Sequence, residues 1–153
     1  TLMQTGKSAL HPVVLMEAPG TGYWQEWLDF IGKTLVPQGM IAGDDLGLMR
    51  FTHDVGEAAE EITRFYANYH SQRYVDGRLV LRLLHAPDEA QLAQINDLFA
   101  DIVVSGSIDL VEATPAEAED GDQPHLPRLM LHFDRRSLGR LRGLIDHLNT
   151  LAP

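Results

Sequence analysis

The chain has 153 residues, enough for one ordinary domain or two small ones, and its apolar share of 44% is that of a soluble globular protein. A formal net charge of −10 argues against a general binder of nucleic acid or of anionic membrane, because counterion release rewards a basic face. The absence of cysteine excludes disulfides, a thiolate zinc site and a cysteine nucleophile, and it agrees with a cytoplasmic location.

No apolar run approaches the ~20 residues that span a bilayer, and no secretory signal opens the chain. It begins on Thr1 rather than Met, as a processed chain or a fragment would. Residues 11–17 read as a buried strand. The glycine-rich turn Gly20-Thr21-Gly22 follows, and then a helix over residues 23–35 in which Trp24, Trp27, Leu28, Ile31 and Leu35 recur at helical spacing. Pro37 and Gly39 stop it. A short strand is predicted over 48–52. Asp54 and Glu57 form a capping-box pattern for the next helix, whose apolar face is Val55, Ala58, Ile62, Phe65 and Tyr69. Strand–helix–strand–helix is the order of a parallel sheet with crossover helices.

Residues 69–78, "YHSQRYVDGR", read as a polar joint with a turn at Asp76-Gly77. The boundary between two modules, 1–74 and 75–153, is placed there. The second module reads as a strand at 79–84, a helix within 88–104 and a strand at 108–113. The acid-rich loop 114–127 follows, then a clean alternation at 128–133 and a last helix at 136–151. In the first of those helices Leu92, Ile95, Leu98, Phe99 and Ile102 point inward; in the last, Leu138, Leu141, Leu144, Ile145, Leu148 and Leu151 do. The loop 114–127, with Glu117, Glu119, Asp120 and Asp122 and no Lys or Arg, reads as solvated or disordered. Deleting 117–122 is expected to change stability by less than about 1 kcal/mol. The predicted class is α/β: a partial Rossmann-like βαβα unit followed by a small βαββα module of ferredoxin-like type.

Two groups of residues are candidates for ligand contact. Gly20, Thr21, Gly22 and Tyr23 stand where a strand hands over to a helix, at the carboxyl end where open α/β sheets bind ligands. Backbone N–H groups at a helix start can hold phosphate, yet the loop lacks the Lys-Ser/Thr ending of a Walker loop and the spacing of a dinucleotide loop. The alternative reading, which those departures favour, is a strand-to-helix turn with two permissive glycines. His70, Ser71 and Arg73, crowded into the joint beside Tyr74, could hold an anion or could solvate a linker. None of the seven histidines has tight metal-ligand spacing, so no metal or cofactor is expected. Trp24 and Trp27 read as core, Asp44-Asp45 as a loop pair, and Arg135, Arg136, Arg140 and Arg142 as a solvated face.

The segments "LMQTGK", "HPVVLM", "GYWQEWLDFI" and "GMIAGDDLGLMRFTHDVGEAAEEI" together resemble the C-terminal part of the Lonely Guy (LOG) family, over residues 1–74. These proteins were long described as lysine decarboxylases. They are similar to Rossmann-type nucleotide-binding proteins, and characterised members cut the N-glycosidic bond of nucleoside 5'-monophosphates. The resemblance implies a nucleoside monophosphate as ligand of the parent protein and a homo-oligomer. The family's stretch Pro-Gly-Gly-x-Gly-Thr-x-x-Glu is absent. Pro19-Gly20-Thr21-Gly22 imitates it without a Glu at the matching distance, so no catalytic residue carries over. On this reading the chain begins inside the helix that follows the motif, with "TLMQTG" as its stub. The isolated chain is then inactive on AMP, and the open edge of residues 13–16 favours self-association. The alternative is a non-catalytic module that binds a nucleotide or small ligand or assembles subunits.

Overall fold

The computed structural model describes residues 8–151. The helix stub expected at the start lies outside the described residues. The fold is mixed α/β, with a two-stranded parallel sheet and a four-stranded antiparallel sheet.

Strand β1 (Val13–Met16) pairs in parallel with β2 (Met49–Thr52), Val13 opposite Met49 and Met16 opposite Thr52. Helix α1 (Tyr23–Phe30) leaves β1 and runs on into a π-helical turn, Ile31–Leu35, closed by Val36 N–H on the Ile31 carbonyl at 3.0 Å. A 3-10 helix over Gly43–Leu48 then leads into β2. The apolar spacing of α1 does not make it a core helix. None of Tyr23–Phe30 is buried; Trp24 is half-covered, Trp27 is 37% exposed and Phe30 53% exposed. The only fully buried apolar side chain of that run is Ile31.

Helix α2 (Val55–Phe65) starts where predicted, with the Asp54 carboxylate accepting Glu57 N–H at 2.9 Å. The reciprocal half of the capping box is replaced. The Thr52 hydroxyl donates to the Glu57 carboxylate at 2.6 Å and accepts Asp54 N–H at 3.0 Å, so the end of β2 is tied to the cap. The buried residues are Glu61 and Phe65, whereas Val55 and Ile62 are exposed. The predicted face is therefore rotated, because Arg142 reaches across to Glu61 and stacks its guanidinium over the Phe65 ring at 4.9 Å.

The stretch read as a polar joint is a strand. β3 (Tyr69–Val75) forms a hairpin with β4 (Arg78–Leu83), and Asp76 (φ 48°) and Gly77 (φ 80°) make the turn. Positive φ at both central residues matches the right-handed twist of the flanking strands. Helix α3 (Glu89–Leu98) carries a full capping box between Asp88 and Gln91. It is shorter than predicted, and Leu98 faces solvent while Ile95, Phe99 and Ile102 are buried. β5 (Val103–Val111) begins five residues before the predicted strand start at 108. After residues 112–127 come β6 (Arg128–Phe133) and α5 (Leu138–Asn149). In both, the predicted inward set up to Leu148 is buried, and Leu151 packs against it half-covered.

The second region is thus ββαββα, with sheet order β3-β4-β6-β5 and every pair antiparallel. Two ββα units follow one another, and their inner strands β4 and β6 adjoin, Leu79 opposite Leu131 and Arg82 opposite Arg128. Leu79, Leu81, Leu83, Leu129, Leu131 and Phe133 meet Ile95 and the leucines of α5 in one core, which extends to Leu10, Leu48 and Phe65. Full burial of each such side chain contributes about 1.5–3 kcal/mol. The first turn of α5 lies so close to the 3-10 helix that a Cβ on Gly139 would stand 2.3 Å from the Asp44 carbonyl group. At the far end of α5, Asn149 acts as a clamp. Its Oδ1 accepts Asn68 N–H at 2.9 Å and Tyr69 N–H at 2.8 Å, and its Nδ2 donates to the Phe65 carbonyl at 2.7 Å.

Candidate functional site

The loop after β1 is shaped by its glycines. Gly20 (φ 86°) and Gly22 (φ 74°) both lie in the left-handed region, and Thr21 folds back on the Ala18 carbonyl through its N–H at 3.2 Å and its hydroxyl at 2.7 Å. Gly22 is the N-cap of α1 and, having no side chain, caps nothing. The anion at this helix start comes from the chain itself: the Glu17 carboxylate accepts Trp24 N–H at 2.8 Å. A carboxylate there gains from the positive end of the helix. The second oxygen, Oε1, is buried with no hydrogen-bond partner among the described residues. From the end of β2, His53 places its Nδ1 3.1 Å from the Glu17 carbonyl oxygen. Tyr23 is exposed and stands edge-on to Trp24 at 4.9 Å between ring centres. Glu17 and His53 were not singled out in the sequence, where nothing local marks Glu17 as the partner of Trp24 seven residues on.

His70, Ser71 and Arg73 lie on β3 and meet a second group of residues that sequence reading missed. His70 Nδ1 and the Ser71 hydroxyl are 2.9 Å apart, and Ser71 Oγ accepts from Arg82 Nη1 at 3.2 Å. Arg73 donates to Asp120 at 3.0 Å and to Asp122 at 2.9 Å. These carboxylates come from the loop predicted to be solvated or disordered. It is ordered: Thr114 caps α4 (Pro115–Glu119) in a capping box with Glu117, and the loop folds over the outer face of the antiparallel sheet. Glu117 is 0% exposed there, between Arg82 at 2.8 Å and Arg128 at 3.0 Å. Asp122 also reaches Arg82, at 2.6 Å. Burial by itself would raise the Glu117 carboxyl, but hydrogen bonds from Arg82, Thr114 and Arg128 more than offset it and hold the group at about 2. The acids looked unpaired because their partners are far away in sequence.

The basic cluster near the last helix is likewise engaged. Arg140 forks to Asp101 with both bonds at 2.8 Å, and Arg142 is buried between Glu61 and Asp146. Arg135 covers the Tyr74 ring at 4.3 Å. Neither Arg135 nor Arg136 shows an ion pair among the described residues. Burial pushes the Glu61 carboxyl up, and Arg142 and Arg64 pull it below the usual carboxylate range. Among the described residues no three His, Asp or Glu side chains converge as metal ligands, and no helix is long and apolar enough to cross a membrane.

An apolar groove of about 410 Å³ lies between α1 and the 3-10 helix, lined by Val13, Trp27, Phe30, Leu35, Leu46 and Met49 among others. Apart from one carboxylate, Asp45, that groove is lined by apolar side chains and holds no base or nucleophile. The carboxyl ends of β1 and β2 form a rim, the end of the outer sheet face under α4 a closed ion-pair network, and the groove an uncovered apolar surface. No family model, curated protein or solved structure matches this chain.

Proposed function

We propose that the βαβα unit is the C-terminal part of a Rossmann-like domain of LOG type, acting on nucleoside 5'-monophosphates, with the antiparallel module as its extension. The observation that carries this reading is the parallel β1–β2 pair with Gly20-Thr21-Gly22 at its carboxyl end. Such ends are where open α/β sheets bind ligands. The loop supplies rim rather than phosphate cradle, because Glu17 already fills the helix start. Gly20, Thr21, Gly22 and Tyr23 then border a nucleotide whose phosphate and scissile bond are handled by other residues of the parent. The antiparallel module, proposed at the sequence level as ferredoxin-like, contributes packing and not chemistry.

Two measurements test this. The reading frame upstream of Thr1 should encode Pro-Gly-Gly-x-Gly-Thr-x-x-Glu within a few residues; a frame without it overturns the assignment. The pure chain should release no adenine from AMP above a heat-killed control, since protonating the leaving base needs a placed acid.

A second reading, subunit assembly, is favoured by the exposed Tyr23, Trp27 and Phe30 beside the apolar groove. A continuous apolar surface of this kind favours a partner. A strict monomer in sedimentation at tens of micromolar removes the assembly reading.

A further inference from the structure

The outer face of the antiparallel sheet carries arginines at both ends, and the ends are treated differently. Under α4, Arg73, Arg82 and Arg128 each bind carboxylates of the chain itself. At the other end, uncovered by that loop, Arg78 has no carboxylate within salt-bridge reach among the described residues. Its contact is the Met130 sulfur at 3.9 Å.

What surrounds Arg78 is organised. β4 and β6 run antiparallel with Leu79 opposite Leu131, which sets Arg78 beside His132 on the outer face, and His132 pairs in turn with Ser105 of β5. The Ser105 hydroxyl and His132 Nδ1 are 2.8 Å apart. That bond leaves the other ring nitrogen free to face a ligand. Immediately after Ser105 the ladder breaks: Asp109 is the next residue paired, opposite Met130, so residues 106–108 face only Leu131. Gly106 (φ 77°) lets the strand bulge there. The bulge is anchored from behind, where Asn96 accepts Ile108 N–H at 2.8 Å and donates to the Ile108 carbonyl at 2.9 Å. Gly106 and Ser107 therefore have no ladder partner on β6. The result is a groove of about 190 Å³ lined by Arg78, Ser105, Gly106, Ser107, Asp109 and His132, together with Met130 and Leu131.

We propose that this groove is a binding site for a small singly charged oxyanion, a carboxylate or a protonated phosphate monoester. Arg78 supplies the fork, the Ser105–His132 pair supplies a donor from the hydroxyl or from the ring according to the tautomer, and the bulge supplies backbone N–H groups. Guanidinium and hydroxyl donors are the groups that recognise such oxygens, and charge-assisted bonds of this kind are the strong ones. The volume admits a head group, not a nucleotide. Asp109, whose carboxylate accepts the Ser107 hydroxyl at 2.7 Å, disfavours a dianion and sets the preference for a single charge. At the covered end of the same face, Glu117 and Asp122 show the ligand type that such arginines take. The site is independent of the nucleotide rim.

The test is a titration of the full chain, followed by amide chemical shifts. Sodium phosphate at pH 6 and sodium acetate are the two probes, and sodium chloride at matched ionic strength is the control. Saturable shifts confined to residues 105–109 and 132 are expected, at millimolar concentration or below, with one probe or both; the tighter one identifies the source of the oxyanion. Arg78→Gln should weaken binding at least 10-fold and Ser105→Ala several-fold, whereas Arg50→Gln, on β2, should leave it unchanged. Both site positions are exposed, so the variants keep the fold. Shifts that chloride reproduces, or that survive Arg78→Gln, overturn the proposal.

Discussion

The antiparallel sheet and the parallel pair bury their apolar residues very differently. β4 and β6 are covered on one face along their length and on the other at one end only. Their odd-numbered leucines meet α3 and α5, and half of the opposite face is roofed by α4 with its buried carboxylate. Of the parallel unit, β1 and β2 contribute few buried residues and α1 none, while three of its aromatic side chains reach solvent. One region closes on itself through long-range ion pairs; the other leans on its neighbour through Gly139, Leu48 and Phe65. Stability in this molecule should therefore reside in contacts far apart in sequence, and substitutions in the two regions should separate cleanly.

The largest loss is expected at Glu117. Removing one partner of a buried ion pair leaves uncompensated charge and costs about 3–5 kcal/mol. Glu117→Gln keeps the shape but leaves Arg128 without its carboxylate and Arg82 with Asp122 alone, so its chemical-denaturation midpoint should fall accordingly; an unchanged midpoint would show that the roof over the sheet is dispensable. The pH dependence follows in sign. The folded carboxyl, at about 2, lies below its ordinary value of 4.5, so the native state binds fewer protons than the unfolded one. This contribution is fully present above about pH 4.5 and is lost as pH falls toward about 2. The variant should show a flatter stability profile across that window.

Asn149→Ala comes next. It leaves the buried N–H groups of Asn68 and Tyr69 and the Phe65 carbonyl without their side-chain partner. Unsatisfied buried groups cost about 1–3 kcal/mol each before water relieves them, and a net loss of about 2–4 kcal/mol is expected by thermal or denaturant unfolding. Hydrogen exchange at Tyr69 should accelerate even where global stability survives. Gly139→Ala is a smaller probe of the seam between regions. Its Cβ meets backbone rather than a flexible side chain, so α5 or the 3-10 helix must shift. About 1–3 kcal/mol is expected, as for overpacking elsewhere; no loss would mean that the seam is loose.

Periodicity and turn chemistry made much of the fold legible. Asp76-Gly77, Asp54 as a cap, the alternation of Leu129, Leu131 and Phe133 and the stripe of α5 were readable because each depends on neighbours in sequence. β3 was not, since an edge strand with a polar outer face lacks a clean alternation. Residues 114–127 were misread for a related reason. Composition registers four acids without a base nearby, whereas folding brings Arg73, Arg82 and Arg128 to them across the sheet. The candidate residues fared likewise. Gly20 and Gly22 do adopt the left-handed conformation that their turn requires, but the Glu17 carboxylate that fills the helix start is visible only in three dimensions. Arg73, read either as an anion binder or as part of a solvated linker, already holds two carboxylates of the chain.

The smallest effect on stability, and the most informative about association, is expected at Phe30. Helical spacing placed Trp24 and Trp27 in a core, yet the face they share with Phe30 is partly open in this chain. A charge on an exposed position of α1 breaks no buried contact, so Phe30→Glu should change unfolding free energy by less than about 0.5 kcal/mol. Its effect on association should be large, because a carboxylate in a self-associating apolar patch must be desolvated twice, once from each copy. If the chain sediments as a dimer or larger species, the variant should sediment as monomer at the same concentration. If it stays associated, the contact between copies lies elsewhere, and the open edge of β1 or the outer strands of the antiparallel sheet become the surfaces to cut. Should Phe30→Glu instead destabilise the chain by several kcal/mol, α1 packs more deeply than its exposure indicates, and the contrast between the two regions fails.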